Sequence, residues 1–490
     1  MRAALLSVAA VGGLFFAAPA FADESSSLES RLARVEQQLA QPTAPSARET
    51  QSAVDAYLAS AKSDASLVGG PGSAGYDCGF WIRGGCFLLK INLTIQARYE
   101  WWDWTDDAAE IAASDNGDLS GFSVPRLTLK LSGDASCDIH YYAELESGDH
   151  GFVFDTGNTP TGFMDYPDII SNSGGFGAGG VDEDALTSGT HMREAWIEYE
   201  PCPQMVFRMG LIKTACTRQL MTAPEHQQFV DISMATGYIG NFESGYSDRN
   251  RDYGVMLHGV LGCDGDWSYM ITATNGDGPN TRNIFDGETD DNLAYSARLN
   301  WDIRGHMGYE EGALCQNECE WRAAIGGWGY IYNDVRNDHT HDKYADRVLF
   351  GGDLALGYGG WSLTGAYNHV EYSNSSYEPG INATGWSWFV QLGYLFCGTA
   401  WEVAGRYGVY SHKFDNGGSF TNGLEATFGA TEWGFAINYY IDGHGDKLTA
   451  DFTRVTPDDL GNLEGDTYAG YHSTGLSEAT MIRFQWQLAL

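Results

Sequence analysis

The sequence predicts a transmembrane antiparallel β-barrel of about sixteen strands, a size that leaves a water-filled lumen. Three observations predict it. First, the chain ends on a strand: Ile482, Phe484, Trp486, Leu488 and Leu490 share one parity, and Arg483, Gln485 and Gln487 the other. Termini fray in soluble proteins, but a barrel in lipid must pair its last strand with its first, because an open edge is intolerable there. Second, the same period-two alternation recurs along the chain from Phe87 onward. Third, the connections between alternating segments are short and long in turn, the habit of barrels with tight turns at one end and loops at the other.

Met1–Ala22 carries one basic residue, Arg2, an apolar run from Ala3 to Ala18, and Ala20-Phe21-Ala22 before Asp23-Glu24. This is a secretory signal with a small-x-small cleavage site. The chain carries a formal charge of −37, −38 once Arg2 leaves with the signal, which argues against a nucleic-acid partner. Leu28, Leu32, Val35 and Leu39 form a short a/d seam, read as a small helix or coiled coil in a segment, 23–75, on the periplasmic side of the membrane. Gln41–Glu49, with two prolines, is a linker, a second helix is expected over Arg48–Lys62, and Gly69–Gly75 is a hinge. The barrel occupies 76–490.

In the first long strand Leu89, Ile91, Leu93, Ile95 and Ala97 oppose Lys90, Asn92, Thr94, Gln96, Arg98 and Glu100. Leu127, Leu129 and Leu131 then oppose Arg126, Thr128 and Lys130; Tyr141, Ala143 and Leu145 oppose Tyr142, Glu144 and Glu146. Further on, Phe207 and Met209 flank Arg208, Leu299 and Trp301 flank Asn300 beside Arg298, and Trp401 to Tyr407 alternate with Glu402 and Arg406. The apolar rows are the lipid face and the charged rows the lumen. The expected pore lining is therefore Lys90, Arg98, Arg126, Lys130, Glu144, Arg208, His258, Arg298 and Arg406. Long loops fall near Asp149–Thr190, Thr214–Asn250, Gly276–Asp290, Asn333–Asp346 and Thr456–Ser477. Nine cysteines in an exported chain permit disulfides. Cys78 with Cys86, and Cys315 with Cys319, are close enough in sequence to close small loops, and five short connections carry cysteine: at Cys137, Cys202, Cys263, Cys315 with Cys319, and Cys397. No His stands at zinc-ligand spacing beside them, and no acidic loop has EF-hand spacing, so no metal or other cofactor is expected.

Glu194–Tyr199, Pro203 and Phe207–Lys213 lead into a long loop, followed by Arg249–Gly254, Leu257-His258-Gly259 and Asn275–Gly278. Together with Trp433–Tyr440 and Leu448–Phe452, these resemble the phosphate-selective porin O and P family over roughly Phe87 to Leu490. The resemblance implies a sixteen-stranded trimeric outer-membrane porin whose third loop folds inward. Lys213, Arg218, Arg249 and Arg251 would then stand at the constriction. It also implies passive diffusion of small hydrophilic solutes and ions, with phosphate as one candidate. Lumen carboxylates share the lining, so the cations either form an anion ladder or pair with neighbouring acids; the pairing is expected. Other readings are a structural envelope protein gripping the cell wall through the N-terminal helix, or a barrel enzyme. The strand histidines His140, His258 and His369 have no serine in a recognisable motif beside them, so no enzyme is expected.

Overall fold

The computed structural model describes residues 72–76, 79–104, 118–147, 190–244, 250–262, 265–276, 293–312, 320–336, 344–374, 381–416, 426–457 and 479–490. The expected signal, N-terminal helices and linker lie outside them; the hinge expected over Gly69–Gly75 is corrected in its second half, where Gly72–Tyr76 is a strand. Two short strands, β1 (Gly72–Tyr76) and β2 (Phe80–Gly84), precede sixteen longer ones. These are β3 (Phe87–Trp104), β4 (Asp118–Ser136), β5 (Ile139–Ser147), β6 (Thr190–Cys202), β7 (Met205–Lys213), β8 (Arg251–Leu261), β9 (Trp267–Thr274) and β10 (Ala294–Arg304). They continue as β11 (Arg322–Arg336), β12 (Tyr344–Tyr358), β13 (Trp361–Asn374), β14 (Ile381–Leu395), β15 (Trp401–Asn416), β16 (Ala426–Asp442), β17 (Asp446–Pro457) and β18 (Ala479–Ala489).

Each strand from β3 to β18 pairs antiparallel with its sequence neighbour, and β18 returns to β3 in a register from Ala479↔Trp104 to Ala489↔Thr94. The barrel is closed. Leu490 completes the seam by exchanging two backbone hydrogen bonds with Leu93, at 2.8 and 3.2 Å. The terminal strand is ordered because its edge groups have a partner inside the same sheet, as closure in lipid demands.

The parities hold. Ile197, Met209, Phe435, Phe484 and Trp486 face outward and are exposed, while Thr94, Gln96, Arg98 and Glu100 face inward and are buried. The outer face carries aromatic pairs beside the short turns, Trp267 on Trp301 at 5.0 Å and Trp321 on Tyr358 at 4.6 Å between ring centroids. Such rings suit the headgroup level of a bilayer. No helix among the described residues is long and apolar enough to cross a membrane; the strands supply the spans.

Strand β2 pairs with the start of β3, Phe80↔Ile91 to Gly84↔Phe87, and so continues the line of β18 beyond Leu490. Cys86, in the β2–β3 turn, is bonded to Cys137 in the β4–β5 turn, with Cα atoms 5.3 Å apart. The expected Cys78–Cys86 loop is thus corrected: Cys86 and Cys137 are far apart in sequence, and β3–β4 pairing brings them together. Cys78, Cys263, Cys315 and Cys319 lie outside the described residues. The bridge closes a loop of 51 residues, worth roughly 4 kcal/mol in the chain-entropy view. Reduction of the folded protein should shift its gel mobility and open the β2–β3 turn to protease. Unchanged mobility and cleavage would argue against the bridge.

Among the described residues, two connections fold into the bore. The β7–β8 loop, 214–250, carries α1 (Arg218–Met221), a 3-10 turn (Pro224–His226) and α2 (Met234–Ser244). Ser233 starts α2 as its cap: its Oγ accepts from the Thr236 backbone N–H at 3.1 Å. Met234, Ala235, Tyr238 and Ile239, spaced along one face, are buried, and α2 packs against β12–β15. The second is the β10–β11 connection, 305–321, at the turn end. Its sequence, with Cys315 and Cys319, predicts a short connection, and the structure corrects that. Its first part, Gly305–Gly312, turns inward, because it carries backbone and side-chain groups that meet the β7–β8 loop.

Candidate functional site in the lumen

The bore is filled unevenly. On β12–β17 the β7–β8 loop lies against inward alanines and amides, Ala366, Ala404, Ala436, Gln391 and Asn438 among them. Phe229 packs on Ala404 and Ala436, and Ala235 on Ala366 and Phe389. Inward glycines give the loop room. A Cβ at Gly385 would stand 1.8 Å from the Tyr238 hydroxyl, and one at Gly393 1.9 Å from Gln228 Nε2.

At the centre lies Asp231. Its carboxylate accepts from Arg98 at 3.1 Å, Arg483 at 2.9 Å and Arg126 at 3.4 Å, and its backbone oxygen accepts from Arg406 at 2.8 Å. Burial alone would push the Asp231 carboxyl up, but Arg98, with Arg483 and Arg126, outweighs it and holds the group well below the usual carboxylate range. Glu225, in the 3-10 turn, is likewise pulled down, against burial, by an ion pair with Lys130, to about 2. Lys447 binds the same turn through the carbonyls of Glu225 and Gln227, at 3.1 and 2.5 Å.

The lumen cations fall into two groups. The side chains of Arg98, Arg298, Arg406 and Arg483 are 0–2% exposed, sealed beneath the inward loops. Those of Arg126, Lys130, Arg208 and His258 are 15–21% exposed. The second group lies on β4, β7 and β8, so the wetted part of the bore follows the β4–β8 arc. Across that arc Tyr142 stacks on Trp196 at 5.3 Å, and the Arg208 guanidinium lies 3.8 Å over the same indole.

The predicted lining residues are placed as follows. Arg98 joins Glu100 and Asp231; Lys130 meets Glu225; Arg208 and His258 share Glu198 at 2.6 and 2.8 Å. Arg298 pairs with Asp353 at 2.6 Å and Arg406 with Glu432 at 2.5 Å. Glu144 accepts from Tyr142 at 2.7 Å and Arg193 at 3.3 Å. Lys90 has the inward parity but stands opposite Trp81, beyond the end of β18, so it sits at the rim outside the closed wall. At the expected constriction Arg251 pairs with Glu194 at 3.0 Å. Lys213 donates to the Met221 carbonyl at 3.3 Å, and Arg218 to those of Met307 and Gly308. Lys213 thus supports the loop's backbone and Arg218 that of the β10–β11 connection. Arg249 lies outside the described residues.

Asp231, Glu225, Glu311, Lys447 and Arg483 were not legible as site residues. Arg483 and Lys447 leave a signal, as charges in the polar rows of their strands. The carboxylates sit in loops, which have no period to read.

Comparison with protein-family models gives no match, and comparison with curated proteins gives none. Among solved structures the chain is similar to an anion-selective porin from Comamonas acidovorans, at 11% identity and TM-score 0.48 over 82% of this chain and 99% of that one. It is also similar to the outer membrane channel DcaP of Acinetobacter baumannii, at 12% identity and TM-score 0.45 over 82% and 97%. OprB of Pseudomonas putida aligns at 10% identity and TM-score 0.47, over 82% and 94%. Identities this low carry nothing about solute or assembly.

Proposed function

We propose that the chain is an outer-membrane porin, a water-filled channel for passive diffusion of small hydrophilic solutes and ions. The observation that carries this reading is a closed sixteen-strand barrel, apolar outside and polar inside, with a long loop folded into its bore. Its partners are outer-membrane lipid and two further copies of itself in a homotrimer, with the segment 23–75 on the periplasmic side. Selectivity is weak. A phosphate ladder needs cations whose donors are open to the anion, and along the β4–β8 arc Arg126, Lys130, Arg208 and Arg251 each face a carboxylate of Asp231, Glu225, Glu198 or Glu194.

Purified protein in a planar bilayer is expected to give conductance steps in threes, a small reversal potential under a salt gradient, and no block by added phosphate. Phosphate block would restore the ladder. An absence of conductance at every voltage would overturn the porin reading.

A further inference from the structure

We propose that the inward turn Gly305–Gly312 is a clamp that holds the β7–β8 loop in the bore from the turn end, and that Glu311 closes it. Glu311 is buried, and its carboxylate accepts three hydrogen bonds, each at 2.9 Å. They come from Gln219 Nε2 in α1, from the Gln228 backbone N–H after the 3-10 turn, and from Gln391 Nε2 on β14. Its own backbone N–H donates to the His226 carbonyl at 3.0 Å, and its carbonyl accepts from His444 Nε2 at 3.0 Å. One residue therefore ties the loop at two places to the wall and to the β16–β17 turn. The rest of the turn adds to the grip: Arg218 donates to the carbonyls of Met307 and Gly308, and Thr222 to that of Tyr309 at 2.6 Å.

The chemistry favours a latch over an incidental contact. A buried carboxylate is costly unless its lone pairs are filled, and here amide and backbone donors fill them, two of the three from the loop itself. The carboxylate is thus satisfied only while the loop is seated. The consequence for permeation rests on the porin reading: the clamp sets how far the loop narrows the bore, and its release widens the channel.

The test uses the full chain, folded in detergent and in bilayers, comparing wild type with Glu311→Gln and with Glu371→Gln as control. Glu371 is exposed, lies on β13 and pairs with His369 at 3.4 Å, away from the clamp. A glutamine at 311 turns one acceptor into a donor facing donors. Two readouts are taken: single-channel conductance, and maleimide modification of Cys216, a thiol fully buried in the β7–β8 loop, resolved by peptide mass spectrometry. Glu311→Gln is expected to raise the Cys216 rate at least about tenfold and to increase conductance, with Glu371→Gln like wild type. Unchanged Cys216 protection and unchanged conductance would overturn the clamp. Faster modification in a protein that never conducts would uphold the clamp and overturn the porin. If Glu311→Gln fails to reach the folded, heat-modifiable form, Arg218→Gln removes the bonds to Met307 and Gly308 and carries the same two readouts.

Discussion

Asp231→Asn is expected to unseat the β7–β8 loop and turn the channel towards anions. The carboxylate is the acceptor shared by Arg98, Arg126 and Arg483. Removing one partner from a buried ion cluster costs about 3–5 kcal/mol, because the remaining charges stay buried and under-paired. Arg98 keeps Glu100 and Arg483 keeps Asp451, so the wall should survive while the loop loses its central tie. The Arg126 guanidinium, whose ion-pair partner is Asp231, then faces the bore without that carboxylate. Reversal potential under a salt gradient should move towards anion preference, and phosphate should begin to block. A reversal potential identical to wild type would refute the role given to Asp231.

The same pairing sets a pH dependence. The Asp231 carboxyl is held below its unfolded value of about 3.9. A depressed carboxylate contributes stability that is present above the unfolded pKa and lost as pH falls below it. Wild-type channels should therefore keep their loop at pH 5 and lose it only in stronger acid.

Gly385→Ala is expected to push α2 away from the wall. The new Cβ would meet the Tyr238 hydroxyl at 1.8 Å and His412 Nδ1 at 2.9 Å, where these two groups are themselves 2.6 Å apart. Tyr238 is buried and stacked on Tyr410 at 4.7 Å between centroids, so it has no free direction in which to yield. Overpacking of this kind costs about 1–3 kcal/mol. The expected readouts are larger, noisier conductance and a lower temperature of unfolding in heat-modifiability gels. Gly352→Ala, whose Cβ would find only ordinary contact with the Gly326 carbonyl at 3.5 Å, should behave as wild type. Equal behaviour of the two variants would exclude a seat for the loop at Gly385.

The inward arginines reflect the limits of reading charge from a strand. Arg98, Arg298 and Arg406 were assigned to the bore by parity, and the parity is right. Their exposure to permeating solute was not readable, because it depends on a loop that arrives from elsewhere in the chain and covers them. The β10–β11 connection is a harder case. Nothing in its composition separates a turn that ends a hairpin from one that enters the lumen; Glu311 and Tyr309 find their partners on the β7–β8 loop, β10, β14 and the β16–β17 turn, all but β10 distant in sequence.

The sequence by itself determined the closed barrel, the inward and outward faces, and the closing role of Met481–Leu490. These follow from period-two chemistry and from the requirement that every backbone group at membrane depth be satisfied within the sheet. The tertiary structure alone decided which lumen charges are sealed and which are wet, the pairing of Cys86 with Cys137, the hub at Asp231 and the clamp at Glu311. Each of those joins residues far apart in the chain, and side-chain pairing across a bore has no sequence period to announce it.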